Sequence, residues 1–328
     1  MKIEYISQTV LRRSLLKPLH TKREEALFSP SEAEMCSAIQ LNSSGQAVFT
    51  TASVIGNAKE IGTYAIAKAV NDLATRGADA IGVSVQIMLP PHAYESRLKA
   101  MTEYMEEMCS QLKIQITCAE AEVSAALMSA MVTVTAVGQA SNGKLWQSRD
   151  AQPNQDIVLT GSVGLEGMLR VMSEKEEELK QRFVATFISQ IQSAKSELIA
   201  VDAIQTARSH GVSAMQQIGK GGIFAALWEV AEAAGLGLSV SLPDMTIRQE
   251  TIEVCEFYHL NPYQMTSTGA VLMYTDDGKA LIRKLEERGI KAALIGKTTG
   301  AKERVITGRA EVRYMDRPQP DELNKICK

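Results

Sequence analysis

The sequence predicts a two-domain protein of mixed α/β (α+β) class, and three observations lead to that prediction. The chain has 328 residues, which exceeds what one hydrophobic core usually organises. Its 45% hydrophobic and 22% charged residues are an ordinary globular composition, so each half has enough apolar side chains for a core. Segments with helical spacing also alternate with segments of strand-like alternation, without an internal repeat. We expect domains at 1–150 and 151–328, with the turn-rich stretch 140–155 as the linker.

The first half is predicted to interleave strands and helices. Apolar residues one turn apart predict helices, and strict apolar alternation predicts strands. The predicted strands cover 47–51, 81–87, 114–117 and 131–137, and the predicted helices cover 58–76 and 98–112. Gly77 lies where a glycine ends a helix, and Pro90-Pro91 stops a strand. No G-x-G-x-x-G motif opens either helix, which argues against a Rossmann unit.

The second half continues this pattern. Strands are predicted over 156–161, 238–240 and 271–274, with a last pair around Thr307-Gly308. Helices are predicted over 173–182, 223–234, 249–258 and from Gly278 to Gly289. The first of these helices is strongly charged and is expected to be solvated, whereas the second follows Gly221-Gly222 directly.

Charge and cysteine content exclude several classes of protein. The formal net charge is −3, and neither half is basic, with 14 Lys and Arg against 15 Asp and Glu in residues 1–150 and 21 against 23 in the rest. We therefore expect no nucleic-acid partner. No apolar stretch is long enough to span a membrane, and no membrane association is expected. The five cysteines form no C-x-x-C pair and fit reduced thiols in a cytoplasmic protein.

Three acidic positions are candidate ligands for Mg²⁺, which prefers oxygen donors. Glu34 precedes the first predicted strand of the chain's main body. Asp72 follows Asn71 near the end of the first long helix, and Glu120 follows a strand, two residues before Glu122. Spacing alone does not bring these carboxylates together, and each also fits a surface charge or a helix cap.

A second candidate site lies at the start of the helix predicted over 223–234. Gly221 and Gly222 would present backbone N–H groups to a phosphate, with Lys220 as a counter-charge. Close packing of a loop explains a glycine pair equally well. The four histidines form no recognisable catalytic motif, and no catalytic residue is assigned.

Taken together, several segments resemble the AIR-synthase-like superfamily (AIR, aminoimidazole ribonucleotide), and are closest to its HypE-related branch. In the first half the resemblance is carried by Val70-Asn71-Asp72-Leu73-Ala74-Thr75-Arg76-Gly77-Ala78 and by Leu89-Pro90. In the second half it is carried by Gly221-Gly222 with the helix that follows, by 253–257, by Leu260-Asn261-Pro262, by Ser267-Thr268-Gly269 and by Leu294-Ile295-Gly296-Lys297. The likeness covers nearly the whole chain.

The resemblance implies a fold and a ligand. It implies an N-terminal sheet domain that forms a barrel with its copy in a homodimer, and a C-terminal α/β sandwich domain. It also implies ATP with Mg²⁺ between the two domains. Carried over to this sequence, the candidate positions are Asn71, Asp72, Lys220, Gly221 and Gly222 for the nucleotide and Asp72, Glu120 and Glu34 for the metal, of which Asn71 and Asp72 match the family motif directly.

Several positions depart from the family pattern, mostly by losing negative charge. Met35 stands where relatives have an aspartate beside Glu34, and Ala52 stands where a strand usually ends in aspartate. Gln217 and Lys220 replace two acids before the glycine pair. A site for two divalent cations needs such acids, because uncompensated cations repel each other strongly where water is excluded. We therefore expect the family's ATP-dependent activity in weakened or altered form.

Function remains open between three hypotheses. The first is an ATP-dependent maturation-type or metabolic activity, with a possible acceptor thiol at Cys327 and a maturation partner protein. HypE proteins end in a thiol that is carbamoylated and dehydrated, but here Lys328 follows the cysteine and no proline precedes it, which favours an incidental thiol. The second hypothesis is a non-catalytic dimeric scaffold or regulator. The third is a module that binds a nucleotide or small anion without turnover.

Overall fold

The computed structural model of the chain describes residues 2–3, 7–26, 39–41, 45–140, 145–309 and 311–326. By packing, the described chain divides into two compact units. The first contains the described residues up to 73 and 78–140, and the second contains 74–77 and 145–326. In the described part, no helix is long and apolar enough to cross a bilayer.

The first unit is built on a four-stranded sheet. Its elements are β1 (Lys2–Ile3), α1 (Gln8–Val10) running into a π-helix (Leu11–Leu16), β2 (Gln46–Gly56), α2 (Ile61–Thr75), β3 (Ala78–Leu89), β4 (Ala93–Tyr94), α3 (Glu95–Leu112), β5 (Gln115–Val123) and β6 (Ala130–Ala140). The strand order is β2-β6-β3-β5, with β1 and β4 forming a separate ribbon. Only the β3–β5 pair in this sheet is parallel.

One face of this sheet is covered by helices and the other is open. Val54, Val85 and Val134 on the covered face are at most 6% exposed. A Cβ on Gly138 would lie 3.2 Å from a methyl group of Leu73, which places α2 on this face. On the opposite face, Phe49 remains 67% exposed. The strict alternation predicted for the strand at 81–87 is confirmed, and its physical cause is this one-sided cover.

The second unit is a sheet between two layers of helices. Its strands are β7 (Asp156–Thr160), β8 (Val212–Gln217), β9 (Gly237–Ser241), β10 (Val271–Thr275), β11 (Ala292–Thr299), β12 (Arg304–Thr307) and β13 (Val312–Tyr314). Its α-helices are α4 (Leu165–Glu174), α5 (Glu176–Arg182), α6 (Ala185–Ser193), α7 (Val201–Arg208), α8 (Gly222–Ala234), α9 (Gln249–Tyr258) and α10 (Gly278–Glu286). Short 3₁₀ turns lie at Ser148–Asp150, Ala194–Leu198, Leu242–Asp244, Pro262–Gln264 and Glu322–Lys325.

The seven strands follow the order β13-β12-β9-β11-β7-β10-β8, and all pairs except β9–β12 are antiparallel. Strand β7 is buried on both faces. Ile157 and Leu159 belong to the core cluster that contains α8, and Val158 belongs to the cluster that contains α7 and α10. The predicted mixed α/β class and C-terminal α/β sandwich are therefore confirmed.

Candidate functional site

The start of α8 has a backbone conformation that requires glycine. Gly221 and Gly222 have φ angles of +80° and +70°, a region that side chains with a Cβ rarely adopt. A Cβ on Gly222 would lie 2.3 Å from the carbonyl oxygen of Tyr263, so the backbone before β10 passes directly against this turn. The glycine pair is thus explained by close backbone packing as well as by its positive φ angles.

The backbone N–H of Gly221 is already bonded within the chain. It donates a 2.9 Å hydrogen bond to Oδ2 of Asp321, which lies exactly one hundred positions further along the sequence. The other carboxylate oxygen of Asp321 accepts from the N–H of Leu323 at 2.9 Å. Lys220, the predicted counter-charge, is exposed to solvent. The helix start therefore contacts an anionic group that the chain itself supplies.

The environment of Asp321 opposes its ionisation. Burial raises the pKa of this carboxyl above its ordinary value, and the negative charge of Glu166 raises it further. Hydrogen bonds from the N–H groups of Leu323, Gly221 and Thr266 lower the pKa in part. This carboxylate is consequently held by hydrogen bonds at a place where burial disfavours its charge.

Glu166 is a second carboxylate beside this helix start. It lies in the first turn of α4 and is 3% exposed. Its Oε2 accepts hydrogen bonds from the hydroxyl groups of Thr266 at 2.9 Å and Thr268 at 2.6 Å. Arg170 approaches its other oxygen at 3.5 Å. One of these partners, Thr268, belongs to Ser267-Thr268-Gly269, a segment that carries part of the family resemblance.

The predicted nucleotide residues of the first unit lie on α2. Asn71 is fully buried, and Asp72 on the next position is half-buried. Each of the two residues interacts with other groups of the chain, so neither is without a partner. Their roles in nucleotide and metal binding stay predictions.

Glu120 lies on the open side of the four-stranded sheet. It is half-buried on β5 and is paired in register with Gln86 of β3. The residues on either side of it, Ala119 and Ala121, pair with the buried residues Val85 and Ile87 of β3 and therefore share their covered face. Glu120 therefore extends on the face opposite to the one that α2 covers. Glu34 lies outside the described residues.

The acidic side chains of the described residues do not form a ready metal centre. Across the ranges that the structure describes, no group of three or more His, Cys, Asp and Glu residues is placed to hold a metal ion. Because Mg²⁺ beside a nucleotide is held by carboxylates together with phosphate oxygens, the metal roles of Asp72, Glu120 and Glu34 stay predictions.

Sequence reasoning missed Asp321 and Glu166, the two carboxylates beside the start of α8. Asp321 follows a Pro-Gln-Pro segment and resembles an ordinary tail residue. Glu166 stands in Gly164-Leu165-Glu166-Gly167, where a carboxylate between glycines after a strand was the available signal. Their partners are about one hundred residues away, so no local pattern identifies them.

The two-unit architecture and the glycine-pair helix correspond to a known class of protein. The N-terminal domain of AIR synthase related proteins matches residues 33–140, and the C-terminal domain of AIR synthase related proteins matches residues 152–308. The chain belongs to the AIR synthase related family, and the predicted resemblance is confirmed.

Within this family the chain is similar to hydrogenase maturation proteins. It is 24% identical over 276 residues to a putative hydrogenase expression/formation protein of Methanocaldococcus jannaschii, covering 82% of this chain and 79% of the relative. It is 22% identical over 329 residues to the carbamoyl dehydratase HypE of Rhodobacter capsulatus, covering 96% and 94%.

Solved structures of HypE share the fold. A HypE structure in complex with ATP superposes with a TM-score of 0.79 at 17% identity, covering 97% of this chain and 96% of the other. A structure of a HypE–HypF complex gives a TM-score of 0.67 at 17% identity, covering 85% and 92%.

Proposed function

We propose that the protein is an ATP-dependent maturation-type protein related to the carbamoyl dehydratases, acting in altered form on its own C-terminal tail. The sequence alone favours an incidental thiol at Cys327, and the observation that supports this proposal against it is that the described chain just before this cysteine is packed. Leu323, four positions before Cys327, is 3% exposed, and Glu322 beside it is 8% exposed. The described segment that precedes Cys327 is thus packed within the second unit.

Two of the described cysteines are poor acceptors. Cys109 and Cys255 are fully buried. Burial raises the pKa of Cys255 to about 12 and raises the pKa of Cys109 as well. Since the thiolate is the nucleophile, these two thiols are unreactive at neutral pH. Cys327 lies outside the described residues, and its modification is the direct test.

The proposed ATP binding is supported by the ATP complex of a HypE neighbour. The proposed alteration of the activity is supported by the acidic side chains that this chain offers to a metal ion. ATP would be held by Asn71, Asp72, Lys220, Gly221 and Gly222, and any Mg²⁺ by Asp72, Glu120 and Glu34. The described acids form no cluster of three around a metal position, and the Gly221 N–H is bonded to Asp321. We therefore derive no step that passes through Mg–ATP.

Two measurements test this function. ATP at millimolar concentration should raise the melting temperature by mass action, with a smaller effect of added Mg²⁺ than a two-metal enzyme would give. Mass spectrometry after incubation with a carbamoyl donor and ATP should find the adduct on the peptide that contains Cys327. An unchanged melting temperature together with an unmodified tail would leave the scaffold hypothesis.

That second candidate, a non-catalytic dimeric scaffold, is supported by the open face of the four-stranded sheet. Phe49 and Ile55 on β2 are 67% and 51% exposed on this face. Between them, the hydroxyl groups of Thr51 and Thr135 lie 3.0 Å apart. A second copy of the chain would cover this surface and close the barrel that the family resemblance implies. A maturation partner, as in the HypE–HypF complex, is a further proposal.

A further inference from the structure

The last described segment of the chain is packed at its two ends and exposed between them. Met315 is buried, residues 316–320 are all exposed, and the chain becomes buried again at Glu322 and Leu323. The strap 316–320 includes Pro318 and Pro320, which lack an N–H to donate. The contacts of residues 321–323 therefore hold the last described residues of the chain in place.

The first holding point is the carboxylate of Asp321. Both of its oxygens accept backbone hydrogen bonds, from Gly221 at the start of α8 and from Leu323, each at 2.9 Å. Hydrogen bonds from N–H groups to a carboxylate are stronger than bonds between neutral groups, and the positive end of the helix dipole adds to them. One side chain thus ties the tail to the helix and also caps the tail's own 3₁₀ turn.

The second holding point is Glu322. Its Oε2 accepts the N–H of Asn261 at 3.1 Å and is also bonded by Lys325 at 2.6 Å. Asn261 begins the 3₁₀ turn Pro262–Gln264, whose Tyr263 carbonyl packs against Gly222. Asp321 therefore bonds to the start of α8, and Glu322 bonds to the start of the neighbouring 3₁₀ turn. Leu323, the next residue of the tail, is buried.

We propose that the start of α8 is a docking site for the chain's own acidic tail, with Asp321 as its ligand and Glu322 as the second holding contact. The glycine pair that resembles a phosphate cradle then serves to receive a carboxylate. A backbone N–H has one hydrogen to donate, so a phosphate group and Asp321 exclude each other at Gly221. A phosphate placed beside the docked tail would also meet the negative charges of Asp321 and Glu166.

Hydrogen exchange of the full chain without nucleotide tests the docking. Asp321→Ala should accelerate exchange of the Gly221 and Leu323 N–H groups at least tenfold, because both lose their acceptor. Asp316→Ala is the matched control, since Asp316 lies in the exposed strap of the same tail, and it should change these rates less than twofold. Exchange in β10 should be unchanged in both variants, which separates undocking from unfolding. Equal protection of the tail in wild type and Asp321→Ala would overturn the docking.

A nucleotide titration tests the exclusion, which rests on the proposed function. In wild type, exchange of residues 321–326 should rise as ATP saturates the protein, and Asp321→Ala should bind ATP about tenfold more tightly. A tail that stays protected at saturating ATP would overturn the exclusion. If ATP binds neither protein, the proposed function and the exclusion both fail, while the measurement without nucleotide still decides the docking.

Discussion

The hydroxyl group of Thr268 donates a 2.6 Å hydrogen bond to the carboxylate of Glu166, from a position 102 residues further along the chain. Thr266 donates to the same oxygen, and both threonines are buried. Replacing Glu166 by alanine leaves two buried hydroxyl groups without this acceptor and removes a charge facing Arg170. We predict that Glu166→Ala destabilises the second unit by about 2–4 kcal/mol.

Tryptophan fluorescence during urea unfolding measures this loss, because Trp146 and Trp228 both lie in the second unit. Glu287→Ala is the matched control. Glu287 pairs with Lys284 at 2.9 Å on the surface, where both side chains are largely exposed. Its removal should cost about 0.5 kcal/mol or less. Equal losses for the two variants would mean that the buried hydrogen bonds of Glu166 do not stabilise the unit.

Glycines at the two ends of α8 provide a second prediction. Gly222 at the start and Gly235 at the end have nearly the same φ, +70° and +69°. A Cβ on Gly222 would meet the backbone of Tyr263 at 2.3 Å, whereas a Cβ on Gly235 would meet nothing within 4 Å. We expect Gly235→Ala to cost about 1 kcal/mol, from the backbone conformation alone. Gly222→Ala should cost about 3 kcal/mol or more, since the clash adds to that term.

The difference between these two variants is the measured quantity, and the same urea titration supplies it. Because both substitutions add one methyl group at the same φ, their difference isolates the backbone approach at Gly222. Similar midpoints for the two would show that the turn at Tyr263 can move away at little cost.

Elements with strong local signals were predicted closely from the sequence. The helix over 249–258 has its predicted bounds, and the one predicted over 223–234 begins one residue earlier. In the second case the positive φ values of Gly221 and Gly235 are the physical reason that glycines mark both ends. Strands with one covered face were also found, because burial on one side imposes alternation.

Other elements carried weaker signals. The helices α4, α6 and α7 and the strands β8 and β11 were not predicted. Strand β8 ends in Gln216 and Gln217, and it has neither clear alternation nor a flanking proline. Helix α4 follows Gly164, which has a φ of +75° and provides no side-chain cap. The charged segment 173–182 was predicted as one helix, but the chain breaks it at Lys175 into α4 and α5.

The candidate site was predictable only in part, for a related reason. The glycine pair is visible as a local motif, but its occupant is not. Asp321 and Glu166 become significant only when the fold brings them to Gly221 and Thr268, and residue spacing contains no record of such distant contacts. The metal and nucleotide roles of Asp72, Glu120 and Glu34 stay predictions.

Docking of the tail should depend on pH through Asp321. Burial raises the pKa of this carboxyl above its ordinary 3.8 in the folded chain. A raised pKa means that the protonated form is favoured when the tail is docked. The contribution of this group is therefore fully present below the unfolded value and is lost as the pH rises through the folded pKa. We predict that protection of the Leu323 N–H, corrected for intrinsic exchange, decreases as the pH is raised above 3.8.

Asp321→Asn should remove this dependence, because the amide does not titrate. The other titratable groups near the tail are Glu166, Glu322 and Lys325, so Glu322→Gln serves as the control that should keep the slope. If the slope disappeared in Glu322→Gln and persisted in Asp321→Asn, Glu322 and not Asp321 would cause the pH dependence, and the prediction would be wrong.

The open face of the four-stranded sheet leads to the last prediction. If a second copy covers this face, Phe49 and Ile55 are buried in the dimer although they are 67% and 51% exposed in one chain. Phe49→Glu would then place an unpaired charge in an apolar contact, at a cost of about 3–5 kcal/mol. That cost corresponds to a dimer weakened more than hundredfold. Sedimentation should change from about twice the 35.7 kDa chain mass to that mass itself.

Met128→Glu is the matched control for this change. Met128 is a large apolar residue that is 96% exposed, but it lies in the turn between β5 and β6 and not on the sheet face. Since both variants add one negative charge to an exposed apolar position, a general effect of charge would dissociate both. Loss of the dimer in Phe49→Glu alone assigns the interface to the face that also carries Glu120. A wild-type chain that sediments as a monomer at micromolar concentration would instead remove the dimeric barrel, and with it the scaffold candidate.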